Sequence, residues 1–177
     1  MDALDKLRYP IGKFKKPETI TDDQLEAWIK ILEELPGKYS QLVAGLTEEQ
    51  LETQYRPGGW TIRQVVHHVA DSHHNSYTRF KWGLTEDNPV IKVYQEDKWA
   101  ALFDTKSAPI QPSLDYLKVL HYKLTFLLRG LSKEQLKRTF IHPVADEATS
   151  LLENVGRYAW HGSHHYAHIE NAIKNLK

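Results

Sequence analysis

The amino-acid sequence predicts an all-α fold, a four-helix bundle, and three observations support this prediction. Apolar residues recur with the helical period in four long segments, and no stretch shows a convincing run of strand-like apolar–polar alternation. Three of these segments begin with Ser or Thr followed three residues later by Gln or Glu, which is typical of a helix N-terminus. A short motif also occurs twice, as expected for two helix pairs related by a pseudo-two-fold axis.

The first two predicted helices are separated by a Pro-Gly-Gly turn. The first begins at Thr21 and ends near Leu46, and the Pro-Gly pair at residues 36–37 either kinks it or splits it. The second begins at Thr61 and ends near Trp82.

The last two predicted helices follow a long connection. The third runs from Ser113 to about Leu131, and the fourth begins at Ser150 and continues to the C-terminus. Residues 83–112 join helices two and three, and a structureless connection of this length is uncommon. Because it contains several aromatic residues, we expect it to cross over and pack on the bundle, with a short helix around residues 97–102.

The internal repeat suggests which helices share a site. Residues 45–51 (GLTEEQL) recur as residues 130–136 (GLSKEQL), and each copy follows a long helix and precedes a histidine-bearing one. A chance match between two common loop-and-cap segments is the alternative. Under the repeat interpretation, helices two and four are equivalent, so their histidines converge in the core of the bundle, where metal sites are commonly built.

Composition excludes several classes of function. We expect one domain over residues 1–177, which is long enough to bury a sizeable core. Lys plus Arg and Asp plus Glu each total 23, and this zero net charge argues against binding to nucleic acid or to anionic membranes. No secretory signal or membrane span is recognisable, so we expect a cytoplasmic protein. The absence of cysteine excludes disulfides, thiolate ligands and a cysteine nucleophile.

Histidine is the unusual residue. The chain has ten, and eight lie in two clusters, which occupy residues 67–74 and 161–168. Helix four offers two pairs four residues apart, and such a pair can share a metal because its members lie on one face. The helical period places His165 in the middle of the apolar stripe and His161 at its edge, whereas His164 falls on the polar side. His161 and His165 are therefore the predicted pair.

Helix two leaves the third ligand open. The helical period places His73 on the apolar face and His68 on a flank, and His67 points nearly opposite to that face. Periodicity alone therefore favours His73 without excluding the others.

Two longer strings carry a resemblance to a known family. Residues 59–73 (GWTIRQVVHHVADSH) and residues 158–169 (YAWHGSHHYAHI) resemble the DinB/YfiT family, and the similarity extends over nearly the whole chain. The resemblance implies the four-helix bundle of that family, a homodimer and one divalent metal ion, zinc or nickel, per chain. Carried over position by position, the family's metal ligands fall on His68, His161 and His165.

The resemblance also implies an enzyme with a small-molecule substrate, because the YfiT subgroup is described as metal-dependent hydrolases and includes bacillithiol S-transferases. Three imidazoles leave coordination positions free for water or substrate. Since no general base like that of a His-Glu-x-x-His motif is evident, we favour transfer of a low-molecular-weight thiol to an electrophile. The alternatives are hydrolysis by activated water and a non-catalytic metal-dependent stress protein. Further candidates for contact with the metal ligands or the substrate are Asp71, Asn75 and Arg79.

Overall fold

The computed structural model describes residues 3–144 and 147–176, and four long helices dominate it. These are α2 (Asp22–Leu42), α4 (Ile62–Thr85), α7 (Gln111–Arg129) and α9 (Leu151–Lys174). Helix α2 packs against α7 and α9, and α4 packs against the same two helices. The order around the bundle is therefore α2, α7, α4, α9, which confirms the predicted four-helix bundle. None of the described helices combines the length and apolar character needed to cross a bilayer.

The predicted helix starts are correct to within two residues, and three of the four helices begin at the predicted caps. The hydroxyls of Thr21, Thr61 and Ser150 each accept a hydrogen bond from the backbone N–H three residues later. At Thr61 the side chain of Gln64 also accepts from the Thr61 N–H, which completes the reciprocal capping box.

Helix α2 departs from its predicted end. It stops at Leu42 rather than near Leu46, because the chain turns there and Gly45 adopts a φ of +80°, a value that favours glycine. Pro36 lies inside α2 without splitting it.

The repeated motif forms the same local structure twice. Its copies contain the short helices α3 (Glu48–Leu51) and α8 (Lys133–Lys137), and each carries a complete capping box. A further short helix, α1 (Ala3–Arg8), lies at the N-terminal end of the described chain.

The long connection packs on α4, as predicted. It contains two short helices, α5 (Glu96–Ala100) and α6 (Phe103–Ser107), where one was expected. Two side chains of α4 hold it in place. Gln64 donates to the Ala100 carbonyl at 2.7 Å, and Arg63 donates to the Ala108 carbonyl at 2.8 Å.

The structure adds a hairpin that the sequence did not predict. Strands β1 (Thr139–His142) and β2 (Glu147–Ser150) pair in antiparallel register immediately before α9. Ile141 also exchanges backbone hydrogen bonds with the crossover, accepting from the Ile91 N–H and donating to the Pro89 carbonyl. Strands of four residues are too short for alternation to be recognised in the sequence.

The core has two apolar parts. One surrounds Phe80 and Leu124, and the other surrounds Tyr39 and Leu117. The buried histidines of α7 and α9 lie between the residues of the two parts, and so does His73 of α4, whereas His67 and His68 lie among α4 residues of the second part. Together these histidines form a layer across the bundle. The predicted convergence of helices two and four takes place in this layer.

Candidate metal centre

Three imidazoles converge in the histidine layer. His68 extends from α4, and His161 and His165 extend from successive turns of α9. One nitrogen from each lies within 4.8 Å of the other two, and the Nε2 atoms of His68 and His161 are 3.3 Å apart. A tetrahedral zinc ion with bonds of about 2.0–2.1 Å would hold two ligand nitrogens about 3.4 Å apart. The group therefore fits one tetrahedral ion with its fourth position open, and its all-imidazole donor set suits zinc or nickel.

Close helix packing fixes the position of the α9 ligands. A Cβ atom on Gly162 would collide with a methyl carbon of Leu35, so any larger residue there would force the buried Leu35 side chain to move. The Tyr39 hydroxyl then donates to the Gly162 carbonyl at 2.9 Å. On the other side of the site, the ring of Trp60 packs against His68, with 4.6 Å between ring centroids.

Burial keeps the three imidazoles neutral. It lowers the pKa of His68 to about 3, and it lowers the pKa values of His161 and His165 well below their ordinary range. Neighbouring histidines contribute to these three shifts in the same direction. Because only a neutral imidazole binds a metal ion, the ligand set is ready for metal at neutral pH.

A chain of imidazoles lies behind His161. His121 Nδ1 is 2.5 Å from the Leu32 carbonyl oxygen, His121 Nε2 is 2.9 Å from His73 Nδ1, and His73 Nε2 is 3.2 Å from His161 Nδ1. The Leu32 carbonyl lacks its helical donor because residue 36 is a proline, which has no N–H.

The direction of these hydrogen bonds assigns the tautomers. A carbonyl can only accept, so His121 carries its proton on Nδ1 and accepts at Nε2 from His73. His73 is therefore protonated at Nδ1 and accepts at Nε2 from His161. His161 in turn has its proton on Nδ1, which leaves the Nε2 lone pair directed at the other two ligands. Two neutral histidines thus set the tautomer that metal binding requires.

A second chain does the same for His165. His168 Nε2 is 3.1 Å from the Arg8 carbonyl oxygen, a group left free at the end of α1. His168 Nδ1 is 3.3 Å from His165 Nδ1. His168 therefore donates to the carbonyl and accepts from His165, whose Nε2 lone pair remains free for metal.

The other histidines in the clusters occupy different places. His67 faces Ser113, with its Nδ1 atom 2.7 Å from the hydroxyl oxygen, and it lies outside the three-imidazole group. His73, the residue favoured by periodicity, is fully buried, but both of its nitrogens are engaged by other histidines. His164 is not on a polar surface as predicted. It is buried and stacks on Trp160 at 4.6 Å between ring centroids.

The sequence did not identify the residues that support the ligands. His121 stands alone in the sequence, yet it lies on the buried face of α7 with Leu117, Leu124 and Leu128. A lone histidine within such an apolar stripe needs a polar partner, and this requirement could have indicated its role.

The three remaining candidates fall in different surroundings. Asn75 donates to the Asp71 carbonyl at 2.9 Å along its own helix. Burial, followed by the charge of Asp104, raises the pKa of Asp71 to about 6. In the described part of the chain, Asp71 forms no hydrogen bond to the three imidazoles. Arg79 is buried and lines a cavity beside His161.

Two cavities meet at His161. One measures about 610 Å³ and lies between α4, α9 and the crossover, where Tyr94 and Tyr158 line it. The other measures about 460 Å³ and is lined by all three imidazoles of the candidate site. Both are also lined by Trp160, Glu96 and Asp97. The three-imidazole site is therefore reachable from two sides.

Comparison with protein families gives a clear match. The model of the DinB superfamily matches residues 31–169, which include α4, α7, most of α9 and all three histidines.

Individual relatives match over nearly their whole length. The chain is 51% identical over 170 residues to a Bacillus subtilis protein named "Putative metal-dependent hydrolase YfiT", covering 96% of each chain. A Bacillus cereus protein with a similar name is 50% identical over 173 residues, covering 98% of this chain and 99% of the relative.

A solved structure agrees with the architecture. YfiT from Bacillus subtilis, described as a probable metal-dependent hydrolase with an unusual four-helix bundle topology, superposes with a TM-score of 0.93 at 49% identity. The alignment covers 96% of this chain and 97% of that chain.

Proposed function

Because this chain belongs to the DinB superfamily, we propose that it is a metal-dependent enzyme that transfers a low-molecular-weight, bacillithiol-like thiol to an electrophilic substrate. In this proposal His68, His161 and His165 hold one divalent ion, zinc or nickel. The ion would lower the pKa of a thiol that binds at its open position and so favour the thiolate at neutral pH.

The observation that carries thiol transfer is the pair of cavities that meet at His161. A transferase must hold two organic substrates against one reactive centre, whereas a hydrolase needs room for one organic substrate and water. The two cavities, of about 610 and 460 Å³, supply separate spaces that share the same imidazole. The absence of cysteine from the chain fits this reaction, since the sulfur arrives with the cosubstrate.

The transfer balances without a redox partner. The thiol gives up its proton, the sulfur forms a bond to the electrophilic carbon, and the leaving group departs with the electron pair of the bond that breaks. Glu96 lines both cavities, and burial followed by the charge of Asp97 raises the pKa of its carboxyl group. A carboxylate with a raised pKa is a better proton acceptor, so Glu96 is the residue that we propose accepts the thiol proton.

Conjugation of bacillithiol to monochlorobimane tests this function. Zinc- or nickel-loaded protein is expected to form the conjugate, and His165→Ala is expected to abolish the reaction together with metal binding. His67→Ala is the matched control, because His67 is also buried next to a ligand but lies outside the three-imidazole group. Retained conjugation in His165→Ala would contradict the proposed site.

Metal-dependent hydrolysis is the second candidate, and Glu96 also favours it. A carboxylate that lines the cavity beside the ligands could accept a proton from water instead of from a thiol. A panel of esters and amides distinguishes the two reactions. Hydrolysis without conjugation would favour the hydrolase, and inactivity on both panels with metal binding intact would favour a non-catalytic metal-dependent protein.

A further inference from the structure

Helix α4 contains two buried arginines, and their hydrogen bonds and ion pairs differ. Arg63 is 3% exposed, and its guanidinium is fully engaged by Glu52, Glu48 and the Ala108 carbonyl at 2.5–2.8 Å. Arg79 is 8% exposed, yet its guanidinium has a single hydrogen bond, to the Tyr158 hydroxyl at 3.2 Å. Within the described part of the chain, this is the one hydrogen bond of its guanidinium, its Nε atom has no partner, and it forms no ion pair with a carboxylate.

A buried guanidinium without an anion is costly. Charged groups that leave water are normally paired and hydrogen-bonded, as Arg63 is. Arg79 lines the 610 Å³ cavity and a neighbouring one of about 240 Å³, so its side chain lies next to space that a ligand can enter. An arginine kept unpaired beside a reactive centre is therefore better explained by a ligand than by stability.

The location links Arg79 to the metal centre. The hydroxyl of Tyr158 accepts its hydrogen bond, and the centroid of the Tyr158 ring lies 5.5 Å from the centroid of the His161 ring. A molecule held by Arg79 can thus extend past Tyr158 towards His161, which lines the same cavity.

The charges around the cavity limit the ligand. Arg157 also lines it, but Arg157 is paired with Glu153 at 2.9 Å. Glu96, Asp97 and Lys98 line the same cavity, and the two carboxylates outnumber the Lys98 ammonium and so oppose a highly charged anion. The planar guanidinium matches a carboxylate, which carries one negative charge and can accept two parallel hydrogen bonds.

We infer that Arg79 is the anchor for a carboxylate on one of the two substrates, a few bonds from its reacting atom. This inference rests on the proposed function, because it assigns a substrate class to that site. Arg79 would contribute binding and orientation, and the chemistry would take place at the histidines.

Binding of succinate tests the inference without relying on catalysis. Titration calorimetry, together with the fluorescence of Trp160 in the cavity wall, is carried out on zinc-loaded and on metal-free full-length protein at constant ionic strength. Wild type is expected to bind succinate in both states, and Arg79→Gln is expected to bind it about ten- to hundredfold more weakly. Succinamide, the neutral analogue, is expected to bind weakly to both proteins.

Matched variants complete the experiment. Arg129→Gln removes an exposed arginine that pairs with Glu26 and Glu33, and it should leave succinate binding unchanged. Arg79→Lys keeps the positive charge but lacks the planar guanidinium, so an intermediate succinate affinity is expected. If circular dichroism shows that Arg79→Gln does not fold, Arg79→Lys replaces it in the experiment.

Three results would overturn the inference: equal succinate affinity in wild type and Arg79→Gln, equal binding of succinamide, or tighter binding of inorganic phosphate than of succinate. The proposed function fails separately. If the protein binds succinate through Arg79 but conjugates no thiol, the inference about Arg79 is supported and only the proposed transferase activity is contradicted.

Discussion

The Nε2 atom of His73 lies 3.2 Å from the Nδ1 atom of His161, and this contact joins a candidate metal ligand to a fully buried imidazole. His73 is held in turn by His121, whose Nδ1–H donates to the Leu32 carbonyl. The proline four residues after Leu32 leaves that carbonyl without a helical donor. The proline in α2 is therefore linked to His161 on α9 by a chain of hydrogen bonds through two histidines.

Removing the acceptor behind His161 should weaken metal binding. In His73→Phe the His161 Nδ1–H loses its partner, so the ring is free to rotate and to change tautomer. We expect zinc affinity to fall about ten- to hundredfold, as is usual for groups that orient a ligand. Competition with a chromophoric chelator measures the affinity, and ¹⁵N spectra of the metal-free protein report the His161 tautomer.

His67→Phe is the control for this variant, because His67 is buried on the same helix and hydrogen-bonds to Ser113 instead. Unchanged zinc affinity in His73→Phe, or a His161 that is protonated at Nε2 in wild type, would show that the chain does not set the tautomer.

The stability of the metal-free protein should depend on pH. Burial lowers the pKa of His121 from 6.5 to about 4, so between these values the unfolded chain binds a proton that the folded chain excludes. The free energy of unfolding therefore increases with pH across this window. The contribution of His121 is lost as the pH falls from 6.5 towards 4. His121 alone accounts for about 3 kcal/mol over the window, and the other buried histidines act in the same direction.

Urea unfolding at pH 7.5, 6 and 5 measures this dependence. His121→Asn should lower the slope by roughly 1 kcal/mol per pH unit between pH 6 and 5. Equal slopes in wild type and His121→Asn would contradict the assignment of a neutral buried His121.

The sequence predicted the parts of this molecule that depend on periodicity and local capping. The helix starts at Thr61 and Ser150 follow from residues within one turn, and the pairing of His161 with His165 follows from their spacing. The choice of His68 over His73 depends on how α4 and α9 face each other, which periodicity does not specify. His73 does point inward, as its period predicts, but it meets another histidine there.

Other features depend on contacts far apart in the chain. His121 is an isolated residue in the sequence and acquires its role only when α7 packs beside α2 and α4. The same is true of Arg79, which forms no ion pair within the described part of the chain, in contrast to Arg63. It is also true of Glu96, which the crossover brings to the cavities.

Close packing of α9 on α2 should make Gly156 intolerant of a side chain. A Cβ atom there would lie 2.6 Å from the indole of Trp28, which is buried and cannot easily move. Gly156→Ala is expected to lower the free energy of unfolding by about 1–3 kcal/mol through overpacking. Gly37→Ala in α2 is the matched control, because nothing lies within 4 Å of its added Cβ atom.

Gly37→Ala should stabilise the protein by about 0.5–1 kcal/mol, since alanine loses less conformational freedom than glycine in a helix. Urea denaturation of both variants measures the two changes. If both variants changed the free energy of unfolding equally and in the same direction, α9 would lie farther from α2 than in the structure.

The two histidine chains should act independently on the metal site. His168→Phe removes the acceptor behind His165, and His73→Phe removes the one behind His161. The chains end at different carbonyls, those of Arg8 and Leu32, and their hydrogen bonds have no residue in common. Each variant alone is expected to reduce zinc affinity about tenfold or more, and the losses in free energy should add in the double variant, giving about a hundredfold or more. Chelator competition on the four proteins of this cycle measures the coupling, and a double variant no weaker than either single one would show that the chains act on the site as one unit.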